Sequence, residues 1–382
     1  MMEAWRFSRL SDPPMSEPFN SPDALPVVVK RRPVLSAVLA LLALALGYLL
    51  FWPVPFDPVA SPVPPPSPAG AGVYAPNTRL AEAAHLKSGV GPEGVEMDAA
   101  GNLYTGLHDG RILRFGTDGS VRELANTGGR PLGLEFDARG NLIIADAIAG
   151  LLSLAPDGTL EVLALELDGK RMIFVDDLAI ASDGKIYFSD ASTRHTYGGD
   201  IADLLENRAT GRLIVYDPAT EKLEVLLDGL YFANGVALSP DESFVLVNET
   251  FRYRIARYWL TGDKAGTHDI FTENLPGYPD NLTEAPDGGY WLALVAPRLP
   301  ELDALMPYPF LRKVFWRALE IAGQSPAQPQ SWAVKLDRNG KAVDALEDTT
   351  GHIFMMTSVL ERGGKLYLGS LVNDVIGIID AP

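Results

Sequence analysis

The sequence contains no cysteine, which excludes disulfide bonds and thiol catalysis but leaves the cellular compartment undecided. It has no GxSxG segment, so a serine hydrolase with a nucleophile elbow is disfavoured. Positive charge is scarce: 32 Lys and Arg face 49 Asp and Glu, a net charge of −17 that argues against a nucleic-acid partner. None of the histidines has the HxxxH spacing of a zinc site. They are His85, His108, His195, His268 and His352.

Only one long uncharged apolar run is present, from Val34 to Trp52, and basic residues precede it directly. Its 19 residues are about enough to cross a hydrocarbon core of roughly 30 Å. Because basic residues flank the cytoplasmic end of a span, Lys30-Arg31-Arg32 places the N-terminus in the cytoplasm. The sequence therefore predicts a disordered cytoplasmic tail over residues 1–33, a transmembrane helix over 34–52, and a body on the periplasmic, extracellular or luminal side.

A cleaved signal peptide is the alternative interpretation of this run. Ala69-Gly70-Ala71 resembles a cleavage site, although it lies far beyond the apolar residues. Between the two, residues 53–72 are rich in proline, and Pro53 to Pro68 predicts an extended linker that holds the body away from the bilayer.

From residue 73 onward a strand–turn–strand unit recurs six times. In five copies one position of the first strand lies eight residues before a fixed turn position, which holds Gly101, Gly140, Gly184, Glu242 or Gly288, and the last copy is one residue shorter. This repeat predicts an all-β fold, a six-bladed β-propeller over residues 73–382, with Arg79 to Ser88 as an outer strand that closes the ring against the last blade. In a propeller, equivalent positions in different blades converge on the axis. In chain order this position holds Glu93, Leu132, Asp176, Asn234, Asp280, and either Met356 or Thr357.

Four of these positions, Glu93, Asp176, Asn234 and Asp280, carry oxygen donors. Oxygen ligands without thiol or imidazole favour Ca²⁺ or another hard divalent cation. A cation with open coordination positions polarises an ester or lactone carbonyl, and Asp280 or Asp176 is then the candidate general base. Two alternatives remain open, namely turn residues that only bond to backbone and a structural cation without catalysis.

Two insertions interrupt the repeat, at residues 192–211 and 297–325. The second predicts an amphipathic helix with basic residues interspersed, which either caps the channel mouth, lies on the membrane surface, or packs on a blade edge. Its predicted apolar face consists of Phe310, Leu311, Val314, Phe315 and Leu319.

Several phrases resemble the strictosidine synthase-like branch of the SMP-30/gluconolactonase and paraoxonase-type propellers. They are GPEGVEMD, DGRILRF, RPLGLEFD, ADAIAGLL, YFSDAST, GLYFANGVALSPDESFVLVNET, LPGYPDN and YLGS. Together they cover nearly all of residues 76–380, and an animal member of the family has a similar N-terminal span. The resemblance implies a Ca²⁺-type site on the axis and hydrolysis of lactones or aryl esters.

Carried over by position, the family's metal ligands correspond to Glu93, Asn234 and Asp280, and the third-blade Asn corresponds to Asp176, with Asp177 beside it. The substitution keeps an oxygen ligand and adds negative charge, which favours a divalent cation. Plant strictosidine synthases carry an essential glutamate where this chain has Thr357, so their condensation reaction is not expected here.

The sequence thus favours a membrane-anchored, Ca²⁺-dependent hydrolase of a small ester or lactone. The alternatives are a non-catalytic anchored propeller that binds a ligand or protein, and a strictosidine synthase-like enzyme. Among further candidates, His195 could overhang the channel, although a solvated loop position is the alternative. Four aromatic residues could line an apolar pocket near the axis, although Trp291 fits better in the packed core of a blade. These aromatic residues are Tyr231, Phe232, Tyr278 and Trp291.

Overall fold

A computed structural model describes residues 33–323 and 329–382 and divides the chain into two compact units, residues 1–48 and 49–382. The apolar run forms helix α1 (Pro33–Phe51). Val34–Phe51 has the length and apolar composition of a membrane span, features that a signal sequence shares. The predicted tail up to residue 32, including Lys30-Arg31-Arg32, lies outside the described residues.

The second unit consists mostly of short strands joined by tight turns. Its first half contains β1 (Ala84–Lys87), β2 (Val95–Met97), β3 (Leu103–Gly106), β4 (Arg111–Phe115), β5 (Val121–Asn126), β6 (Pro131–Phe136), β7 (Leu142–Asp146), β8 (Gly150–Leu154), β9 (Leu160–Ala164), β10 (Glu166–Leu167), β11 (Lys170–Arg171), β12 (Val175–Ile180) and β13 (Ile186–Asp190). Its second half contains β14 (Gly211–Asp217), β15 (Lys222–Leu230), β16 (Ala233–Leu238), β17 (Phe244–Glu249), β18 (Arg254–Trp259), β19 (His268–Thr272), β20 (Gly277–Glu284), β21 (Tyr290–Pro297), β22 (Ser331–Leu336), β23 (Ala342–Asp348), β24 (Met356–Arg362), β25 (Lys365–Ser370) and β26 (Val375–Asp380).

These strands build a six-bladed β-propeller, as the repeat predicts. In the described part of the chain, six antiparallel sheets of four strands follow one another, and the first strands of neighbouring sheets contact each other around the ring. The blades are β2–β5, β6–β9, β12–β15, β16–β19, β20–β23, and β24–β26 with β1. Apolar side chains from facing sheets form the core between neighbouring blades. The first strand of each blade lies nearest the axis of the ring.

The last blade is completed from the other end of the chain. β1 pairs antiparallel with β26, from Ala84 opposite Ile378 to Lys87 opposite Val375. This pairing confirms the prediction that Arg79 to Ser88 closes the ring. Leu80, just before β1, is fully buried among residues of the last two blades. The chain is therefore held in a circle by strand pairing and by apolar contacts at the same place.

Both insertions are helical and join the second strand of a blade to its third. Helix α2 (Asp200–Glu206) lies between β13 and β14, whereas α3 (Pro300–Leu305) and α4 (Pro309–Ala322) lie between β21 and β22. Helix α4 packs against α2 and α3. The predicted helix is confirmed, but its apolar and basic residues are not divided as expected: Phe310 and Leu311 are exposed, whereas Arg312 and Arg317 are buried.

The proline-rich segment from Pro53 to Pro68 also differs from its prediction as a free spacer. It runs along the insertion helices, with the Val59 amide donating to the Glu206 carbonyl at 2.9 Å and the Ser61 amide to the Met306 carbonyl at 3.1 Å. Phe56 is buried and packs edge-on against Trp316 at 5.5 Å. Proline composition favours an extended chain, but it does not tell whether that chain has a surface to follow.

Candidate functional site

A β-bulge lies at the same place in the first strand of five blades. The strand register shifts at residues 132–133, 176–177, 234–235, 280–281 and 357–358. In the first blade, Glu93 and Gly94 directly precede β2. A bulge sets two residues opposite one and turns the side chain away from the ladder. The predicted axial positions are therefore the bulged ones, and Thr357 rather than Met356 is their equivalent in the last blade.

Glycine follows the axial residue in three blades because the neighbouring strand is too close for a side chain. A Cβ on Gly133 would meet the Asp177 Oδ1 atom and lie 2.8 Å from the Asp177 Cα. A Cβ on Gly235 would lie 2.7 Å from the Asn281 Cα. In the remaining three blades the same place holds a polar side chain, namely Asp177, Asn281 or Ser358.

The structure brings all four predicted site residues together in one cavity. Glu93, Asp176, Asn234 and Asp280 lie side by side at the starts of the inner strands and are buried. The cavity has a volume of about 380 Å³, and its remaining walls are mainly apolar. They include Leu132, Phe174, Phe232, Phe251, Tyr278, Ile201, Leu204 and Leu299.

Two of these buried oxygens have no hydrogen-bond partner. The Glu93 Oε1 atom accepts from the Asn281 amide nitrogen at 2.9 Å, but its Oε2 atom has none, and neither does the Asn234 Oδ1 atom. A buried polar atom without a partner is unfavourable by about 1–3 kcal/mol, so the arrangement calls for a bound group that supplies charge or hydrogen bonds.

Crowding of carboxyl groups raises their proton affinity. Burial raises the pKa of Glu93 to about 8, with a contribution from the nearby Asp177 and an opposing one from Arg130. Burial and the neighbouring Glu93 carboxyl hold the pKa values of Asp176 and Asp280 well above the ordinary range. Burial likewise raises the pKa of Asp177 to about 7, although this group accepts a hydrogen bond from the Val236 amide at 2.8 Å. Without a counter-charge, the cluster therefore holds protons at neutral pH.

Arg130 is the buried cation next to this cluster, and sequence reasoning missed it. It is 1% exposed, its Nη1 atom donates to the Gly91 carbonyl at 2.8 Å, and its Nε and Nη2 atoms have no partner. Its charge lowers the pKa values of Glu93, Asp176 and Asp280. Arg130 directly precedes the second blade, whose axial residue is the apolar Leu132, so the oxygen-donor pattern gave no signal for it.

The donor set suits a hard cation, but the side chains do not yet converge on one point. In residues 33–323 and 329–382, no group of three His, Cys, Asp or Glu side chains is placed to hold a metal ion. The four axial residues provide three carboxylates and one amide, and carboxylate and amide oxygens are the ligands that Ca²⁺ takes.

The other sequence candidates divide between wall and core. Phe232 and Tyr278 line the cavity as predicted, whereas Tyr231 is absent from the lining and stacks under the Arg252 guanidinium. Trp291 is buried in the core between blades, also as predicted.

The histidine at the cavity is His108 rather than His195. The His108 Nδ1 atom lies 3.2 Å from the Tyr197 hydroxyl, and both residues line the cavity. His195 instead binds the buried Glu206 carboxylate at 2.5 Å.

Comparison with known proteins gives one consistent family. A strictosidine synthase profile matches residues 176–263, and a profile of the N-terminal region of strictosidine synthase-like proteins matches residues 72–115. Adipocyte plasma membrane-associated protein from Bos taurus is 35% identical over 351 residues, which cover 85% of this chain and 84% of the relative. Strictosidine synthase-like protein 4 from Arabidopsis thaliana is 36% identical over 297 residues, 76% of this chain and 79% of the relative. A gluconolactonase from Xanthomonas campestris shares the fold, with a TM-score of 0.58 at 18% identity over 85% of this chain and 98% of its own.

The raised pKa values predict that the protein without a cation loses stability as the pH rises. The folded pKa of Glu93 is about 8 and its ordinary value is 4.5, so the folded state holds a proton that the unfolded chain releases between these values. The stabilisation is fully present below the ordinary pKa and is lost as the pH rises through the folded one. We expect the Tm measured in a chelator to fall from about pH 5 to about pH 8.

Glu93→Gln should flatten this decline because the amide does not titrate, whereas Asp228→Asn, at an exposed site, should leave it unchanged. An identical decline in Glu93→Gln and the parent protein would show that the axial cluster does not control it.

Proposed function

Because this chain belongs to the strictosidine synthase-like family of six-bladed β-propellers, we propose that it is a membrane-anchored, Ca²⁺-dependent hydrolase of lactones or aryl esters. Fold alone does not fix function, so the proposal depends on the site. The observation that carries it is the placement of Glu93, Asp176, Asn234 and Asp280 together at the buried end of one largely apolar cavity.

The four axial residues would hold the cation. The Glu93 Oε2 and Asn234 Oδ1 atoms are buried without partners, and the carboxyl groups raise one another's pKa values. Positive charge at this place would relieve both kinds of unfavourable burial. When bound, a divalent cation would polarise the substrate carbonyl and lower the pKa of the attacking water.

Asp280 or Asp176 is assigned as the general base. Its carboxylate takes the proton from the attacking water as the water oxygen adds to the carbonyl carbon, and the proton then goes to the leaving oxygen. Burial and Glu93 keep the pKa of Asp280 well above its ordinary value, so the carboxylate form requires added positive charge nearby. Arg130 supplies part of this charge, since it lowers the pKa values of both aspartates.

The cavity walls favour a neutral substrate with an apolar or aromatic group. None of the described residues that line the cavity is lysine or arginine, so the walls offer no basic side chain of these two types to an anionic substrate group. Phe174 packs edge-on against Phe232 at 5.1 Å, and Phe232 lies 4.6 Å from Phe251, which together form an aromatic wall. An aryl ester or a hydrophobic lactone would bury its ring against these side chains.

Condensation of an amine with an aldehyde, the reaction after which the family is named, is not proposed. Thr357 occupies the place of the essential glutamate of the plant synthases, is 1% exposed, and donates from its Oγ1 atom to the Glu93 carbonyl at 2.9 Å. A threonine hydroxyl does not accept a proton at neutral pH as a carboxylate does.

A non-catalytic propeller that binds a ligand or protein is the second candidate. One observation favours it: among the residues that the structure describes, no three carboxylate or imidazole groups are already placed to hold an ion. A binding protein would use the apolar cavity without the cation.

We further propose that α1 anchors the chain with the N-terminus in the cytoplasm and the propeller across the membrane. Val34–Phe51 is long and apolar enough to span, and the bovine relative is named as a plasma membrane-associated protein. The orientation follows from Lys30-Arg31-Arg32. Protease added outside intact cells should digest the propeller. A propeller that stays protected until the cells are lysed would reverse the orientation, and release of the propeller by alkaline carbonate would instead indicate a cleaved signal peptide.

The cation proposal predicts that added Ca²⁺ raises the Tm of the full chain in detergent, because the ion binds the folded state preferentially. Asp280→Ala should abolish the increase, whereas Asp228→Asn should keep it. Isothermal titration calorimetry checks the same point. Unchanged Ca²⁺ affinity in Asp280→Ala would show that the ion binds elsewhere.

The hydrolase proposal predicts that the protein turns over aryl esters or lactones, that EGTA removes this activity, and that Ca²⁺ restores it. Asp280→Asn should lower kcat by about 10²-fold or more, as expected for the loss of a general base, with the circular dichroism spectrum unchanged. Asp228→Asn is the matched control. Activity that survives both EGTA and Asp280→Asn would contradict the mechanism, and a folded, Ca²⁺-loaded protein that hydrolyses nothing in a broad panel would favour the binding protein.

A further inference from the structure

Helix α4 turns an apolar face outward. Phe310, Val314 and Ala318 recur at every fourth position, and Leu311 and Ile321 lie beside them on the helix surface. Phe310, Leu311 and Ile321 are 52%, 43% and 62% exposed. We call these five residues the apolar face of α4. Contiguous exposed apolar residues on a helix mark a surface that another phase or molecule covers.

Two arginines hold the helix in this orientation. Arg312 is fully buried and donates to the carbonyls of Leu205, at 2.8 Å, and Val59. Arg317 donates from its Nε atom to the Trp52 carbonyl at 2.6 Å and from its Nη1 atom to the Leu49 carbonyl at 2.7 Å. Because Arg312 and Arg317 bind backbone carbonyls of the protein body, they fix the rotation of the helix about its axis. In this rotation the apolar face of α4 points to the outside.

The contacts of Arg317 indicate what covers this face. Leu49 and Trp52 belong to the second unit and lie at the end of the apolar run, directly before the linker. The side chains of Phe51 and Trp52 are exposed there. If Val34–Phe51 spans a bilayer, this end of the span lies at the membrane–water interface, where tryptophan is enriched. Arg317 therefore fastens α4 to the place where the chain leaves the membrane.

We propose that α4 lies in the plane of that membrane with its apolar face inserted between the lipid headgroups. The occupant of the surface is the bilayer that holds the chain's own span, so this inference depends on the proposed anchoring. An interfacial helix needs an exposed apolar side, and α4 has one because Arg312 and Arg317 are buried and, of its basic residues, only Lys313 is partly exposed.

This placement also orients the cavity. Helix α4 packs on α2 and α3, and Ile201, Leu204 and Leu299 from these two insertions form part of the cavity wall. Helices α2 and α3 therefore lie between α4 and this part of the cavity. Esters or lactones that partition into lipid would be concentrated beside it.

The absence of cysteine makes a direct test available. Phe310→Cys and Ile321→Cys in the full chain provide unique sites for an environment-sensitive nitrobenzoxadiazole label. Val162→Cys is the matched control, because Val162 is 60% exposed on β9, in a different blade. The labelled proteins are reconstituted into phosphatidylcholine vesicles that contain phospholipid with a spin label high in the acyl chain.

We expect the labels at positions 310 and 321 to emit at shorter wavelength and to be quenched several-fold more strongly than the label at position 162. Quenching no greater than that of the control, in protein that floats with the vesicles, would overturn the proposal for α4 and leave the anchoring intact. Protein that does not float with vesicles would overturn both. Quenching is measured without turnover, so an absence of hydrolysis would bear only on the hydrolase proposal. If a second copy of the chain covered the face, a blue shift would appear without quenching by lipid, which also overturns the proposal.

Discussion

Carboxyl groups that are buried close together dominate the electrostatics at the axis of this propeller. Glu93, Asp176 and Asp280 lie together at the axis with Asp177 nearby. Burial raises the pKa of each of the four groups, and repulsion from neighbouring carboxyl groups raises the pKa values of Glu93, Asp176 and Asp280 further. An array of this kind persists only if protons, a guanidinium or a bound cation offset the repulsion. Arg130 offsets one charge, and protons offset the others while no cation is present. The cluster therefore favours positive charge at the buried end of the cavity.

The ring geometry explains why these carboxyl groups meet at the axis. Bulges at the starts of five inner strands interrupt the strand pairing at the axial positions, so the side chains there are turned away from the ladder and toward the channel. Gly133 and Gly235 let the adjacent blades approach closely. Closure through β1 and β26 then fixes the circle, because a ring of blades cannot widen without breaking that pairing.

Much of this arrangement could be predicted because it repeats. The strand–turn–strand period predicted six blades, the closing strand and the four axial residues, all of which depend on local sequence and on the symmetry of the ring. What could not be predicted depends on partners distant in sequence. The spacer follows a surface made by Glu206 and Met306, and Arg312 is buried because the Leu205 and Val59 carbonyls receive it. From helical periodicity alone, a charged residue such as Arg312 is expected to face water. Its hydrogen bonds to residues distant in sequence are the reason that it is buried instead.

Buried arginines also connect the insertions to the cavity at the axis. Besides Arg312 and Arg317 beneath α4, Arg298 donates to the Asp303 carboxylate at 2.8 Å, and the same carboxylate accepts from the Tyr253 hydroxyl at 2.8 Å. Tyr253 in turn lies against Tyr278, a residue of the cavity wall. Charge-assisted bonds of this kind hold a wall more rigidly than apolar packing does. The axial residues come from the repeat, whereas the wall is set by insertions that the repeat does not constrain. The insertions between the second and third strands of blades three and five therefore set the shape of the cavity wall without altering the axial residues.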